Sequence, residues 1–168
     1  MHVSEQRLTE SLNVGNEAEI HFKNIIVSNG FKWKKSNTYE NKNLHFDCRI
    51  KDEKGVIYKV EVKAQKKINS TDEFTSPNDI WLELTGIEGY KGWIYGEADL
   101  LSFDIANNEF ILVKREDIVK FIEKKILENG YKTGKKHYEI YNRPGRKDKL
   151  VLSKLEDIKN EMIYRIVK

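Results

Sequence analysis

The sequence predicts an α/β (α+β) domain, a mixed β-sheet flanked by helices, on three observations. Residues alternate between apolar and polar over His45 to Ile50 and again over Val56 to Ala64. Apolar residues recur at helical spacing in two well-separated places, around Phe22 and around Phe121. The implied order of elements is helix, strands, helix, strand, helix, which suits helices packed on a mixed sheet.

Asn16 to Glu19 has the spacing of a capping box and opens the first helix. Ala18, Phe22, Ile25 and Ile26 give that helix its apolar stripe, and Gly30 stops it. Phe31 to Trp33 reads as a short strand. The next two strands, His45–Ile50 and Val56–Ala64, flank the turn-like Lys51 to Gly55. One face would carry Phe46, Cys48, Ile50, Tyr58, Val60, Val62 and Ala64; the other His45, Asp47, Arg49, Lys59, Glu61, Lys63 and Gln65. In a hairpin these faces agree only if paired residue numbers sum to an even value, and a sum of 108 sets Asp47 against Glu61. Further strands are expected at Ile80–Leu84, Lys91–Tyr95, Leu100–Asp104 and Phe110–Val113. A long helix then runs from Arg115 to Asn129, with Ile118, Phe121, Ile122, Lys125 and Ile126 on one stripe and Gly130 at its end. Leu150–Leu152 reads as a strand, and Ser153 to Glu156 as a capping box opening a last short helix.

A chain of 168 residues is one domain, with a core over about 13–130 and a basic C-terminal extension over 131–168. Hydrophobic residues make up 39% and charged residues 34%, which excludes a disordered composition. No apolar run approaches the roughly 18 residues of a membrane span, and the N-terminal residues lack the apolar stretch of a secretory signal. The single Cys48 excludes an internal disulfide and a multi-cysteine zinc site. A cytoplasmic location is the expectation. Net charge is only +3, so DNA is allowed as a partner by the clustering of Lys and Arg and not demanded by their number.

Phosphodiester hydrolysis needs an activated water, neutralisation of transition-state charge and help for the leaving oxygen. Mg²⁺ or Mn²⁺ held by carboxylates can supply all three, with a lysine beside the ion to orient water or stabilise charge. Asp47, Glu61 and Lys63 offer that set: the carboxylates lie fourteen residues apart, a separation suited to a hairpin. The backbone carbonyl of Val62 could be a further metal ligand, and Gln65 continues the same face.

The pattern Asp47, then Glu61-Val62-Lys63, resembles the signature of the PD-(D/E)xK nuclease superfamily. Gly15 and Glu19, followed by Gly30-Phe31, resemble the first helix of archaeal Holliday-junction resolvases, in which the helix glutamate reaches the metal site. Asn78 to Glu83 and Gly92 to Phe103 resemble segments of phage-encoded resolvase-like nucleases. The resemblance covers roughly 13–126. It departs from the signature in lacking a proline before the aspartate, where Phe46 stands. It implies a restriction-endonuclease-like core and a Mg²⁺- or Mn²⁺-dependent endonuclease acting on DNA, with branched or junction DNA as substrate. It also implies a metal role for Glu19 beside Asp47 and Glu61, and action as a homodimer so that two strands are cut symmetrically.

Lys66 and Lys67, just past the catalytic strand, and Arg143, Arg146 and Lys147, beside a Gly-containing turn, are the expected DNA contacts. Blander readings compete. Glu19 fits a helix cap, His45 is more often structural, Cys48 belongs to the core, and Trp81 and Trp93 are core or rim aromatics. Glu83 and Asp99 fit strand edges as well as a site. The competing function is a catalytically silent nucleic-acid-binding module on the same fold; a third reading leaves the polar sheet face merely solvated.

Overall fold

The computed structural model describes residues 3–168. Helix α1 spans Val3–Ser28, followed by β1 (Lys32–Lys35), a π-helical turn (Glu40–Leu44), β2 (Cys48–Lys51) and β3 (Ile57–Lys63). Next come β4 (Asp79–Thr85), a 3₁₀ turn (Trp93–Tyr95), β5 (Leu100–Ile105), β6 (Glu109–Lys114) and α2 (Arg115–Glu128). The chain continues as β7 (Ile140–Asn142), β8 (Lys149–Lys154), α3 (Leu155–Glu161) and β9 (Tyr164–Val167). Six strands form a mixed sheet in the order β1-β2-β3-β5-β6-β9, with β3 and β5 parallel and the other neighbours antiparallel. A second, antiparallel sheet has the order β4-β8-β7. The fold is α+β, a mixed sheet flanked by helices, as the alternation and helical periods predict.

Both faces of the large sheet are covered, so β6 loses alternation. Phe110 and Leu112 face one cluster, Ile111 and Val113 the other, and all four are buried. On one side Ala18, Phe22, Ile25 and Ile26 of α1 pack on Cys48, Ile50, Val60 and Val62. On the other, α2, α3 and the small sheet cover Leu101, Phe103 and Ile105. Each large side chain taken fully out of water contributes about 1.5–3 kcal/mol, and Phe22, Phe46, Phe110, Leu82, Leu101 and Ile122 are among those fully buried.

Several expectations are corrected. Helix α1 begins at Val3, so Asn16 lies inside it and caps nothing. The periodic signal starts late because residues 12–14, 16 and 17 are exposed, and Ala18 is the first buried side chain among those described. Lys91–Tyr95 is not a strand: Trp93 and Ile94 are buried in succession within one 3₁₀ turn, where a half-covered strand would bury alternate residues. Glycines at both ends permit the turn. A Cβ at Gly92 would stand 2.0 Å from the Glu83 carbonyl oxygen, and one at Gly96 2.5 Å from the His45 Cβ. Ser153 is not a cap either; it lies in β8, and α3 starts after Lys154 with no side-chain cap. Strands β7 and β9 were not anticipated.

The strand expected from His45 begins only at Cys48. His45 ends the π-helical turn in the left-handed region (φ 53°), which breaks the alternation before it. Phe46 therefore packs in the cluster opposite that of Cys48. The Arg49 guanidinium lies 4.7 Å from its ring centroid and the Lys59 ammonium 5.5 Å, so it shares their side of the sheet.

Candidate active site

Strands β2 and β3 pair Cys48 with Val60 and Arg49 with Lys59, so paired numbers sum to 108, the register that sets Asp47 against Glu61. Val60 and Val62 turn into the α1 cluster, and Glu61 turns to the opposite side. Asp47 stands just before β2. Its N–H donates to the Val60 carbonyl (2.8 Å), and its Oδ2 accepts the Val62 N–H (2.7 Å). The carboxylate thus takes the place of a ladder carbonyl just beyond the point where the pairing of β2 with β3 ends. In a strand, N–H and C=O of one residue point the same way, so the Val62 carbonyl is directed to this side too. Ser36 secures the Asp47 backbone, donating to its carbonyl from both N–H and Oγ (2.9 Å each).

Asp47 and Glu61 are both buried, with 6% and 4% of their surfaces exposed. Glu61 Oε1 is paired with the Lys63 ammonium. Its Oε2 has no hydrogen-bond partner and is one of four buried side-chain atoms so placed among the described residues. Burial pushes the Glu61 carboxyl up to about 7; the Asp47 and Glu19 charges push the same way and Lys63 opposes them. For Lys63 burial works against the ammonium, but Glu61 and Asp47 outweigh it and the net displacement is upward. The ammonium also lies 4.8 Å from the Trp93 ring centroid.

Glu19 approaches from α1, its carboxyl raised by burial and by Asp47, while pairing with Lys35 at 3.3 Å. Three carboxylates therefore share one electrostatic neighbourhood. No group of three or more His, Cys, Asp or Glu side chains is drawn close enough to hold a metal ion among the described residues. Mg²⁺ characteristically takes only one or two protein carboxylates and keeps several waters. Asp47, Glu61 and the Val62 carbonyl are an all-oxygen set of that size, and the unpartnered Glu61 Oε2 is the atom a cation would satisfy. The residues present fit the ion.

Other expected residues are placed differently. Strand pairing with β5 stops at Lys63, so Gln65 does not continue the Glu61 face. Its amide donates to the Ile105 carbonyl (2.8 Å) and to Asp104 (3.2 Å), and its carbonyl accepts the Thr75 hydroxyl. It lines a small cavity with Lys63, Lys66, Trp81 and Trp93. Lys66 and Lys67 are exposed; crowding and then the Lys63 charge hold the Lys66 ammonium below its usual range. Arg143 is spent on Asp148, which is fully buried, while Arg146 and Lys147 are exposed.

Arg143→Ala is therefore expected to lower the melting temperature by about 5 °C, through about 2 kcal/mol lost when Asp148 is stranded in the interior. Arg146→Ala should leave melting unchanged and weaken DNA binding, with a shallower salt dependence. Equal melting of the two variants by circular dichroism would remove the distinction.

Cys48 is core, and burial pushes its thiol up to about 12, far from a nucleophile. Asp99 caps the β3–β5 edge, accepting the Lys59 N–H. His45 is half-buried, held below its usual range by desolvation and the Lys63 charge. Sequence reasoning missed Asn41, whose amide donates to Asp47 Oδ1 at 2.6 Å. A signal was present: Asn37-x-x-Glu40 forms a reciprocal capping box, with N–H to side-chain bonds of 2.9 and 3.0 Å. Glu40 also takes both terminal nitrogens of Arg49, which hold its carboxyl down at about 2.

No family model and no curated protein matches the chain. Among solved structures, a bacterial homing endonuclease, I-Ssp6803I, is similar over 66% of this chain and 72% of its own, with 17% identity and a TM-score of 0.48.

Proposed function

We propose that this protein is a metal-dependent endonuclease of the PD-(D/E)xK type that hydrolyses DNA phosphodiesters. The observation that carries the reading is a buried carboxylate, Glu61, with one oxygen on Lys63 and the other unpartnered, within the electrostatic reach of buried Asp47. Like charges buried together repel, and a bound cation would offset the repulsion that Lys63 relieves only in part.

Asp47, Glu61 and the Val62 carbonyl would hold Mg²⁺ or Mn²⁺, with Glu19 contributing directly or through water. Such an ion, when bound, supplies Lewis acidity and neutralises phosphate charge. The remaining work falls to the chain. The Val62 N–H fixes the Asp47 carboxylate, and Glu61 fixes the Lys63 ammonium. Lys63 is placed to orient the attacking water or to meet the negative charge that develops on phosphorus oxygens. Trp93 walls one side of that ammonium and limits its hydration. Lys66, Lys67, Arg146 and Lys147 hold the DNA backbone. Branched or junction DNA, cut by a homodimer, is the favoured substrate; it rests on the sequence resemblance.

The test is incubation of the purified protein with supercoiled plasmid and with a four-way junction, in Mg²⁺, Mn²⁺ or EDTA, beside Asp47→Ala. Cutting that needs the ion and vanishes in the variant is the expected result. DNA binding without cutting in any metal would replace the nuclease with a silent binding module.

A further inference from the structure

Asp47 receives one hydrogen bond on each oxygen, from two separate elements: Oδ2 from the Val62 N–H of β3, and Oδ1 from Asn41 at 2.6 Å. Asn41 lies on the π-helical turn Glu40–Leu44, a geometry that is rare and frequent at functional sites. The turn is anchored without reference to Asp47. Its start is locked by the reciprocal Asn37–Glu40 bonds, and Glu40 grips Arg49 of β2. Asn41 itself is solvent-exposed, yet its amide is spent on the carboxylate of a buried residue, Asp47. A carboxylate has two side-chain torsions, and donors on both oxygens fix both.

We propose that Asn41 is a positioning residue, whose amide holds the Asp47 carboxylate in a single rotation so that the cation site is built before a divalent ion arrives. The proposal deepens the nuclease reading and rests on it. Partners that orient metal-binding carboxylates typically cost 10–100-fold in affinity when removed. The donor is what matters here, so an isosteric residue without it should fail.

The experiment is calorimetric titration of the metal-free full chain with Mn²⁺, for wild type and for Asn41→Leu, Asn41→Gln and Asn43→Ala, with thermal melts of each. Asn41→Leu keeps the branched shape and the neutral charge, removes the donor, and should weaken Mn²⁺ binding about tenfold or more. Asn41→Gln keeps the donor, has room at an exposed position, and should bind close to wild type. Asn43 donates to the Tyr39 carbonyl at 3.1 Å within the same turn and makes no bond to Asp47. Asn43→Ala should therefore leave Mn²⁺ affinity unchanged even if melting falls slightly. Wild-type affinity in Asn41→Leu, or equal losses in Asn43→Ala or Asn41→Gln, would overturn the role of the amide while leaving the nuclease intact. A wild-type protein that binds no Mn²⁺ would overturn both.

Discussion

Glu61→Gln is expected to melt higher than wild type at pH 8 in EDTA while losing all strand scission. The Glu61 carboxyl rises from 4.5 to about 7 on folding, first because burial disfavours its charge. The folded state then holds its proton more tightly than the unfolded chain, so the contribution of Glu61 to stability is fully present below pH 4.5 and is lost as pH rises through about 7. Above that, the full cost of an ionised buried carboxylate is present, at most about 3 kcal/mol for a displacement of this size. Lys63 loses its partner in the variant, which trims the gain to about 2 kcal/mol, or about 4–8 °C at this chain length. The gain should shrink on going from pH 8 to pH 5, because Glu61 is then largely neutral in the folded wild type. Calorimetric melts at the two pH values check it. A Gln variant less stable than wild type at pH 8 would mean that Glu61 serves the fold as an ion-pair partner and stores no functional strain.

Lys63→Met should reduce single-turnover cleavage by about a thousandfold, the scale set by removing one preorganised charge from a transition state. DNA affinity should change little, since the proposed backbone contacts are Lys66, Lys67, Arg146 and Lys147. Lys63→Arg should not restore the rate. A guanidinium is a planar fork, whereas the site between Glu61 and the Trp93 ring holds a compact ammonium. Cutting at the wild-type rate by Lys63→Met would remove Lys63 from the chemistry and leave it a structural counter-ion for Glu61.

What the sequence made legible follows from where one face alone decides a residue. Along β3, Val60 and Val62 meet α1 while Glu61 and Lys63 do not, so alternation reveals both the strand and the polar pair, and the hairpin register follows from it. The same logic failed where backbone geometry interrupts the period. His45 in the left-handed region sends Phe46 to the opposite core, and Gly92 and Gly96 turn an apolar run into a 3₁₀ turn. Capping signatures proved ambiguous. Asn16-x-x-Glu19 is mid-helix and Ser153-x-x-Glu156 begins in a strand, while Asn37-x-x-Glu40 forms the box. Such a motif is only a local option, and packing selects among its occurrences. Arg143 read as a DNA contact because its charge is visible in sequence, whereas the burial of Asp148, five residues on, is not.

Phe46, Asp47 and Cys48 are consecutive, yet the first is rooted in one hydrophobic cluster, the third in the other, and the carboxylate stands between them. The site is thus a rivet through two layers. Whatever loosens either layer reaches Asp47 within one residue, and whatever clamps Asp47 draws the layers together. Chelation and addition of Mn²⁺ should accordingly move the unfolding of the whole molecule as one transition, through binding energy that only the joined layers can collect.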